Sequence, residues 1–527
     1  MDRTKHGSVW GAAAALLLVL VVPVRAAGVD GGITFHDIAL DASSGINFER
    51  TPSVTNAQRL ALQNTPLIPF ATFASIQPTT PQKDHGDPGI AIFDYDNDGY
   101  LDIYVANGPG TPNSLFHNLM GKTGTLQFED VGAAAGVGAT EQDTVGVCTG
   151  DIDNDGWDDL LTVGVNGSHN HLFHNNGDGT FSDITASAGD IAGYGRNSTS
   201  CTMGDFDGDG LLDIYVGNAY APWDNRRPVF VHQFYDPQLQ PNELYMNRSV
   251  VAPGDKHGGN GPSMQIKFVD ESAARGVTNY EGLNGDPTYT WAVAAVDVDG
   301  DGKVDLMQAD TQGGMTRVGV GYNRFLKNDG TGHFTDVTVE SGLTQAGSWM
   351  GLSYGDYNCD GYLDFFSTNL GAFLGGPTNN SRWFLGSASG VFSDPGVGSL
   401  GGTPFGWGTS TLDYDNDGDQ DILWYGDDDL VQLLAADNPG TLLRNDGQCS
   451  GNFKWDGTSV LDRDNRLRQV QGVAVGDLNN DGFDDIVNAA TWKYTPVTSP
   501  INRFLPITLI FGPFGTVFDS IARIELV

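Results

Sequence analysis

Hydrophobic and polar positions in this chain alternate in short blocks and not with the period of a helix. A run of small residues, such as 472–476 or 292–296, is followed by an acidic stretch and then by a bulkier apolar run such as 213–216. Runs of four to six residues that are rich in β-branched and aromatic types, and bounded by Gly and Asp, are typical of β-strands. The pattern therefore predicts pairs of strands joined by acidic loops.

Two further segments follow each predicted pair. The first reads Asn-x-Leu-Phe, as at 113–116, and a Gly-rich turn such as 176–179 leads to a second that reads Phe-x-Asp-Ile, as at 181–184. Four antiparallel strands per unit, repeated seven times, indicate a β-propeller. We therefore expect an all-β fold, a seven-bladed propeller of four-stranded antiparallel blades. Small residues on the first strand fit a place near the crowded central axis.

The acidic stretch is a nine-residue loop that occurs seven times, with Asp or Asn at positions 1, 3 and 5, Gly at 6 and Asp at 9. We number the loops 1 to 7 in chain order, and each lies between the first two predicted strands of its unit. The candidate metal ligands are Asp94, Asp96, Asp98 and Asp102; Asp151, Asp153, Asp155 and Asp159; Asp205, Asp207, Asp209 and Asp213; Asp297, Asp299, Asp301 and Asp305; Asp356, Asn358, Asp360 and Asp364; Asp413, Asp415, Asp417 and Asp421; and Asp477, Asn479, Asp481 and Asp485.

Clustered carboxylates repel one another unless a cation lies among them. Calcium takes six to eight oxygen ligands at about 2.3–2.6 Å, and a Gly at position 6 permits the sharp turn that such a loop needs. The backbone carbonyl at position 7 is the expected additional ligand. The sequence therefore predicts up to seven calcium ions, one per loop.

Other interpretations of the loops are less consistent with the residues. An EF-hand needs Glu at position 12 and flanking helices, but position 12 holds Val, Thr, Gln, Ser, Trp or Asn and the flanks are strand-like. Magnesium prefers a rigid octahedron with several waters, and soft metals are disfavoured because no Cys or His recurs at a ligand position. Acidic turns without a metal are the remaining alternative.

The termini and composition indicate an exported protein. Residues 1–26 read as a signal peptide, with Arg3 and Lys5 before an apolar run that is too short to span a bilayer; a retained N-terminal anchor is the alternative. The chain has 27 Lys and Arg against 66 Asp and Glu, a formal charge of −39, which disfavours nucleic acid and anionic membranes as partners. We expect a secreted protein, or a periplasmic or cell-surface one in a bacterium, without a transmembrane segment after cleavage.

The remaining segments leave several alternatives open. Residues 27–88 are expected to form one strand and a linker, and 89–527 the propeller, with an insertion at about 219–289. Either 35–38 or 517–519 matches the fourth-strand pattern and could complete the last blade. Cys148 and Cys201 precede successive loops, so a disulfide between them is one interpretation and buried thiols the other; a pair of Cys359 and Cys449 is less certain.

The loops and the two flanking segment types resemble the FG-GAP/VCBS repeat proteins, which include the integrin α-subunit propeller and the cartilage acidic protein family. The resemblance implies seven blades, with calcium held in the loop between the first two strands of a blade. Integrins usually carry such loops in only some blades, whereas here all seven units have one, so the cartilage acidic and microbial proteins are the more similar group.

The predicted function follows from this resemblance and from the lack of a recognisable catalytic motif. The leading hypothesis is a secreted calcium-binding propeller that binds an extracellular or envelope protein or glycan, with calcium mainly structural. The alternatives are a secreted propeller enzyme of the glycan hydrolase or lyase type and an envelope scaffold. We expect no enzyme, since no Gly-x-Ser-x-Gly stands out and the His169, His171 and His174 group is interpreted as an exposed strand.

Overall fold

The structure is a computed structural model that describes residues 35, 37–39, 41–51, 88–219, 240–251, 264–278, 288–312, 321–371, 380–426, 438–445, 450–456, 468–492 and 521–526. Almost all regular structure in these ranges is antiparallel β-sheet. Seven sheets follow one another along the chain, and each contains one acidic loop between its first two strands. The predicted signal peptide, 1–26, and most of the predicted linker lie outside the described residues.

Five of the sheets have four strands in meander order. Sheet 1 consists of β1 (Ile90–Phe93), β2 (Asp102–Val105), β3 (Ser114–Asn118) and β4 (Phe128–Asp130). Sheet 2 consists of β5 (Asp143–Gly150), β6 (Asp159–Val165), β7 (His171–Asn175) and β8 (Phe181–Asp183). Sheet 3 consists of β9 (Ser198–Gly204), β10 (Asp213–Asn218), β11 (Glu243–Asn247) and β14 (Phe268–Asp270), with a two-stranded ribbon of β12 (Val250–Val251) and β13 (Met264–Gln265) before its last strand. Sheet 4 consists of β15 (Thr288–Val296), β16 (Asp305–Gln312), β17 (Asn323–Asn328) and β18 (Phe334–Asp336). Sheet 6 consists of β22 (Thr409–Leu412), β23 (Asp421–Gly426), β24 (Asn438–Arg444) and β25 (Lys454–Trp455).

The other two sheets have three strands within the described residues. They are sheet 5, with β19 (Leu352–Gly355), β20 (Asp364–Ser367) and β21 (Arg382–Phe384), and sheet 7, with β26 (Arg468–Gly476), β27 (Asp485–Trp492) and β28 (Ile521–Leu526). In sheet 5 the backbones of Leu385 and Ser393 exchange two hydrogen bonds of 2.9 and 2.8 Å where a fourth strand would lie. Four-stranded blades are therefore confirmed for sheets 1, 2, 3, 4 and 6.

Helices are short and lie in the connections. They are α1 (Met120–Thr123), α2 (Gly132–Ala135) and α3 (Ser272–Arg275), with a 3₁₀ turn at Gly398–Leu400. The three α-helices end at Gly124, Gly136 and Gly276, which adopt left-handed φ angles of 71°, 86° and 83°. Glycine is favoured at such an end because it has no Cβ to clash in this conformation.

The first strands of the sheets contact one another in succession around a centre. β1 contacts β5, β5 contacts β9, and the series continues through β15, β19 and β22 to β26, which in turn contacts β1. A set of radial antiparallel sheets whose last member touches its first is a propeller, an arrangement that leaves only short edges exposed. The predicted all-β propeller is confirmed.

The hydrophobic core lies between neighbouring sheets. The Phe that opens a fourth segment packs against the residue at loop position 2 of the preceding sheet. Ring-centroid distances are 6.1 Å for Phe181 and Tyr95, 5.5 Å for Phe334 and Phe206, and 5.2 Å for Phe453 and Tyr357. Such aromatic pairs add about 0.5–1.5 kcal/mol to the gain from burial. This Phe is therefore one of the contacts that join a sheet to the preceding one.

The N-terminal segment contributes to three of these interfaces. Phe35 is buried among residues of sheets 6 and 7, with its ring 6.4 Å from that of Tyr414 at position 2 of loop 6. Phe48 is buried between sheets 7 and 1, and the buried guanidinium of Arg50 donates to Asp143 of sheet 2 at 3.0 Å. The described residues between 35 and 51 form turns but no strand.

Two sequence predictions about covalent and inserted segments can be compared with the structure. The disulfide between Cys148 and Cys201 is present and joins β5 to β9. Cys359 is also disulfide-bonded, whereas its predicted partner Cys449 lies outside the described residues. The expected insertion at 219–289 includes β11 to β14 and α3, and its stretches at 220–239, 252–263 and 279–287 lie outside the described residues.

Candidate metal centre

Each acidic loop begins after the first strand of a sheet and ends on the second. Position 9 is the first residue of that second strand in all seven sheets, at Asp102, Asp159, Asp213, Asp305, Asp364, Asp421 and Asp485. The seven loops therefore occupy the same edge of their sheets. The sequence prediction that each loop joins the first two strands is correct.

The Asp at position 1 fixes the backbone of its loop. In loop 1, Asp94 accepts hydrogen bonds from the N–H groups of Asp98 at 3.0 Å and Gly99 at 2.8 Å, one on each carboxylate oxygen. The same pair of bonds recurs in the other six loops. The Gly at position 6 has φ between 84° and 94° in every loop, a region that favours glycine.

The Asp at position 9 is an anchor between strands. In loop 1 the Oδ1 of Asp102 accepts from the N–H of Asn118 at 2.7 Å, and its Oδ2 accepts from the N–H of Tyr95 at 3.2 Å. Burial raises the pKa of this carboxyl because burial disfavours the charged form, and neighbouring carboxylates add to the effect. The pKa is raised to about 8 for Asp102 and Asp421, to about 7 for Asp159, Asp213 and Asp305, and to about 6 for Asp364 and Asp485.

Position 3 carries a buried oxygen whose partner the described residues do not supply. In the five loops with Asp at this position, one carboxylate oxygen is buried and accepts no hydrogen bond from the described residues. These oxygens are the Oδ1 atoms of Asp96, Asp153, Asp207, Asp299 and Asp415. A buried acceptor without a partner costs free energy, more so when it is charged, so each needs an explanation such as a bound ion.

The carboxylates also converge as a metal site requires. Ligand oxygens lie within 4.8 Å of one another for Asp94, Asp96 and Asp98, for Asp151, Asp153 and Asp159, and for Asp205, Asp207 and Asp213. All are hard oxygen donors, which suit calcium. Converging carboxylates together with a buried oxygen that lacks a partner fit the predicted cation.

The structure adds basic side chains that the sequence prediction overlooked. His117 lies between Asp96 and Asp102, with its Nδ1 at 3.5 and 3.3 Å from their carboxylates, and only 5% of this residue is exposed. The Nε2 of His174 lies 3.1 Å from Asp153, whose carboxylate raises the pKa of this imidazole to about 9. The interpretation of His174 as part of an exposed strand was therefore wrong. A usable signal was that both histidines directly precede the Asn that ends the third strand.

In sheets 1, 2, 3, 4 and 6 that Asn links the acidic loop to the loop of the preceding sheet. Its N–H donates to position 9 of its own loop, while its Nδ2 donates to the position-2 carbonyl of the neighbouring one. The Nδ2 distances are 2.8 Å from Asn175 to Tyr95, 2.9 Å from Asn247 to Ile152, 2.7 Å from Asn328 to Phe206, 2.8 Å from Asn445 to Tyr357 and 2.8 Å from Asn118 to Leu478. The last of these bonds joins sheet 1 to sheet 7.

A second set of hydrogen bonds joins neighbouring loops at position 4. The side-chain Nδ2 of an Asn there donates to the position-6 carbonyl of the next loop. The distances are 3.0 Å from Asn97 to Gly156, 2.8 Å from Asn154 to Gly210, 2.8 Å from Asn416 to Gly482 and 3.0 Å from Asn480 to Gly99. The conformation of these loops therefore depends on the contact between neighbouring sheets.

The other histidines of the predicted group lie away from the loop carboxylates. The Nδ1 of His171 lies 2.9 Å from Asp183 and its Nε2 lies 3.3 Å from the exposed Glu141, while the Nδ1 of His169 is near the backbone carbonyls of residues 192 and 193. Among the described residues, no helix has both the length and the apolar character to cross a membrane.

Comparison with known proteins is consistent with the repeat pattern. A family model described as FG-GAP-like repeat matches residues 94–162, 151–216 and 314–367. Cartilage acidic protein 1 of Mus musculus is 26% identical over 310 residues, 56% of this chain and 41% of that protein; the Homo sapiens protein of the same name is 37% identical over 142 residues, 25% and 21% of the two chains. The chain thus spans less than half the length of these curated relatives.

Among solved structures, a lectin of Agrocybe aegerita that recognises non-reducing terminal N-acetylglucosamine aligns with a TM-score of 0.39 and 18% identity, over 71% of this chain and 81% of that one. The chain carries FG-GAP-like repeats and has homologues named Cartilage acidic protein 1, so these two predicted resemblances are confirmed. The resemblance to the integrin α-subunit propeller stays a prediction.

Proposed function

We propose that this FG-GAP-repeat protein is a secreted, calcium-binding propeller of seven blades that acts as a binding module for an extracellular or envelope protein or glycan. In this proposal the seven sheets are the seven blades. Calcium is mainly structural, and the partner binds a surface that the calcium-loaded ring holds in shape.

The observation that carries the calcium assignment is the buried Oδ1 without a hydrogen-bond partner at position 3 of five loops. The carboxylates at positions 1, 3, 5 and 9 would hold the ion, with Asn at position 3 in loops 5 and 7. Bound calcium would supply positive charge among side chains that otherwise repel one another. Each loop contributes three or four carboxylates of its own to that charge balance.

The loops stabilise the ring because they hold neighbouring blades together. Asn118, Asn175 and their equivalents bind position 9 of one loop and the backbone of the preceding loop at once. A cation that orders a loop therefore also orders the interface beside it. This coupling supports a structural role for the ion, in which its removal loosens contacts between blades.

Ring closure in this proposal uses the N-terminal segment. Phe35 lies against Tyr414 in the position that Phe181, Phe334 and Phe453 take at other interfaces. We therefore assign Phe35 as the fourth-segment Phe of blade 7, which is the N-terminal alternative; the other alternative, 517–519, lies outside the described residues. The bond from Asn118 to Leu478 joins sheets 1 and 7 whichever segment completes blade 7.

The binding role is supported by charge and by the comparisons. A formal charge of −39 disfavours nucleic acid and anionic membranes as partners and favours cationic or neutral surfaces. The named relatives are acidic cartilage proteins by their name, which is consistent with an extracellular setting. That the chain is not an enzyme stays a prediction.

Two measurements test the proposal. Elemental mass spectrometry of the mature protein after gel filtration in micromolar calcium should find several calcium ions per chain, and none would refute the calcium assignment. A glycan array and a panel of extracellular matrix proteins, probed in millimolar calcium and in excess chelator, should give a partner that is retained only with calcium. Retention that is unchanged in chelator would refute the role of the loaded ring.

A further inference from the structure

Position 3 divides the seven loops into two groups with different chemistry. Five loops have Asp there, and its Oδ1 is buried without a hydrogen-bond partner in the described residues. Loops 5 and 7 have Asn instead. The Oδ1 of Asn358 accepts from the N–H of Asp360 at 3.1 Å, and that of Asn479 accepts from the N–H of Asp481 at 2.9 Å. The same atom is thus free in one group and already bonded in the other.

The second oxygen at position 3 also differs between the five Asp loops and loop 5. In the five Asp loops a basic side chain next to the third-strand Asn lies against Oδ2. It precedes the Asn in four sheets, and in sheet 3 Arg248 follows Asn247. The contacts are His117 with Asp96 at 3.5 Å, His174 with Asp153 at 3.1 Å, Arg248 with Asp207 at 2.8 Å, Lys327 with Asp299, and Arg444 with Asp415 at 2.5 Å. In blade 5 the residue at this place is Leu385, which directly precedes Gly386, the donor to Asp364.

The basic side chain determines what the carboxylate offers to an ion. It contacts Oδ2 and not Oδ1, which is left buried without a hydrogen-bond partner among the described residues. For Asp153 and Asp299 the side chains are 5% and 10% exposed, so water gives little compensation. A divalent cation at that oxygen therefore gains a charged ligand and removes an unsatisfied acceptor in one step.

Loops 5 and 7 offer less to the same ion. The amide oxygen of Asn358 or Asn479 is neutral, and one of its two lone pairs already accepts the position-5 N–H. The charge of the ligand set is one of the quantities that tune calcium affinity. Both effects weaken binding in these two loops.

Repulsion between the ion and the basic residue acts in the opposite direction but is weaker. A Coulomb interaction falls with distance. A calcium ion on Oδ1 would lie at about 2.4 Å from its ligand, whereas the base contacts Oδ2 of the same carboxylate and, in four of the five loops, the position-5 carboxylate as well. Arg444 and Lys327 are also about one-third exposed, with side chains 35% and 36% accessible, so solvent screens them. The charged ligand therefore determines the order of affinities.

We propose that the chain has two classes of divalent-cation site, five tight sites at loops 1, 2, 3, 4 and 6 and two weaker sites at loops 5 and 7. This inference depends on the proposed calcium binding. At limiting calcium the ring is loaded in five blades, and the two remaining loops fill only as the concentration rises.

Equilibrium dialysis of the mature protein against radioactive calcium tests the two classes, with free calcium varied from nanomolar to millimolar. We expect five ions at low free calcium and two more at a concentration at least about tenfold higher. Asp415→Asn should lower the number of tight ions from five to four, and Asp299→Asn is a second variant with the same expectation. The double variant Asn358→Asp with Leu385→Arg should raise it to six. Glu340→Gln removes one exposed negative charge outside the loops and should leave the number at five.

Circular dichroism in saturating calcium verifies that each variant is folded. Seven equivalent ions in the unaltered protein would overturn the two classes while leaving the calcium assignment intact. An unchanged tight number in folded Asp415→Asn and Asp299→Asn would overturn them as well. Binding of no calcium at any concentration would overturn both this inference and the proposed function.

Discussion

The link between a loop and its neighbouring blade can be tested at Asn175. Its side chain is fully buried, and its Nδ2 donates to the carbonyls of Tyr95 at 2.8 Å and Asp158 at 3.2 Å, while its Oδ1 accepts from the N–H of Gly177 at 3.0 Å. Asn175→Ala leaves the backbone bond to Asp159 possible but removes all three side-chain bonds. A buried polar group that loses its partner costs about 1–3 kcal/mol. With the most deeply buried bond weighted fully and the others in part, we expect a loss of about 2–5 kcal/mol in the free energy of unfolding.

Asn176→Ala is the matched control. This neighbour is exposed and bonds only within its own turn, through Thr180 and Ser182, so its replacement should change the free energy by less than about 0.5 kcal/mol. Urea unfolding in saturating calcium, followed by tryptophan fluorescence, measures both variants. Similar losses for the two, or a loss below about 1 kcal/mol for Asn175→Ala, would refute the argument that the third-strand Asn joins blades.

Three further predictions concern other parts of the molecule. Burial raises the pKa of the position-9 carboxyls to between about 6 and 8, above the unfolded value of about 4, so in chelator they add stability at low pH that is lost as the pH rises through these values. The melting temperature in chelator should therefore fall between about pH 5 and about pH 8, and no fall would contradict the assigned burial. Replacement of Cys148 and Cys201 by Ser removes a disulfide between residues that are 53 positions apart. The free energy of unfolding in urea should fall by about 2–4 kcal/mol. Equal stability of the reduced and oxidised proteins would contradict this prediction. Phe35→Ala should lower the free energy of unfolding by about 3–5 kcal/mol because Phe35 is 93% buried between blades 6 and 7. Glu49→Ala, at an exposed position, is the control and should be nearly neutral. An equal effect of the two replacements would argue against closure by the N-terminal segment.

Much of the fold could be predicted because its information is local. Alternation of apolar and polar residues located the strand pairs, and the nine-residue spacing located every loop, since both depend only on neighbours in the sequence. The Cys148–Cys201 disulfide was one of the two interpretations that the near-equivalent places of these residues in successive repeats allowed. These features recur with the repeat, so each copy supports the others.

The remaining features depend on contacts between blades, which spacing does not reveal. Asn118 donates a hydrogen bond to the carbonyl of Leu478, which lies 360 positions away in the sequence. The residues around Asn118 in the sequence do not distinguish it from any other Asn at the end of a strand. His117 and His174 are ordinary third-strand residues until the fold places them against the acidic loops. The choice between residues 35–38 and 517–519 was open for the same reason, because both match one short motif.

The role of the ions in holding the ring together is measured most directly by differential scanning calorimetry of the mature protein. A site adds about 1.4 kcal/mol when free calcium is tenfold above its own dissociation constant, so seven sites loaded to that level add about 10 kcal/mol, which is comparable to the stability of a whole domain. The account predicts a melting temperature that rises with free calcium and falls steeply in excess chelator. A melting temperature that is the same in millimolar calcium and in chelator would contradict it.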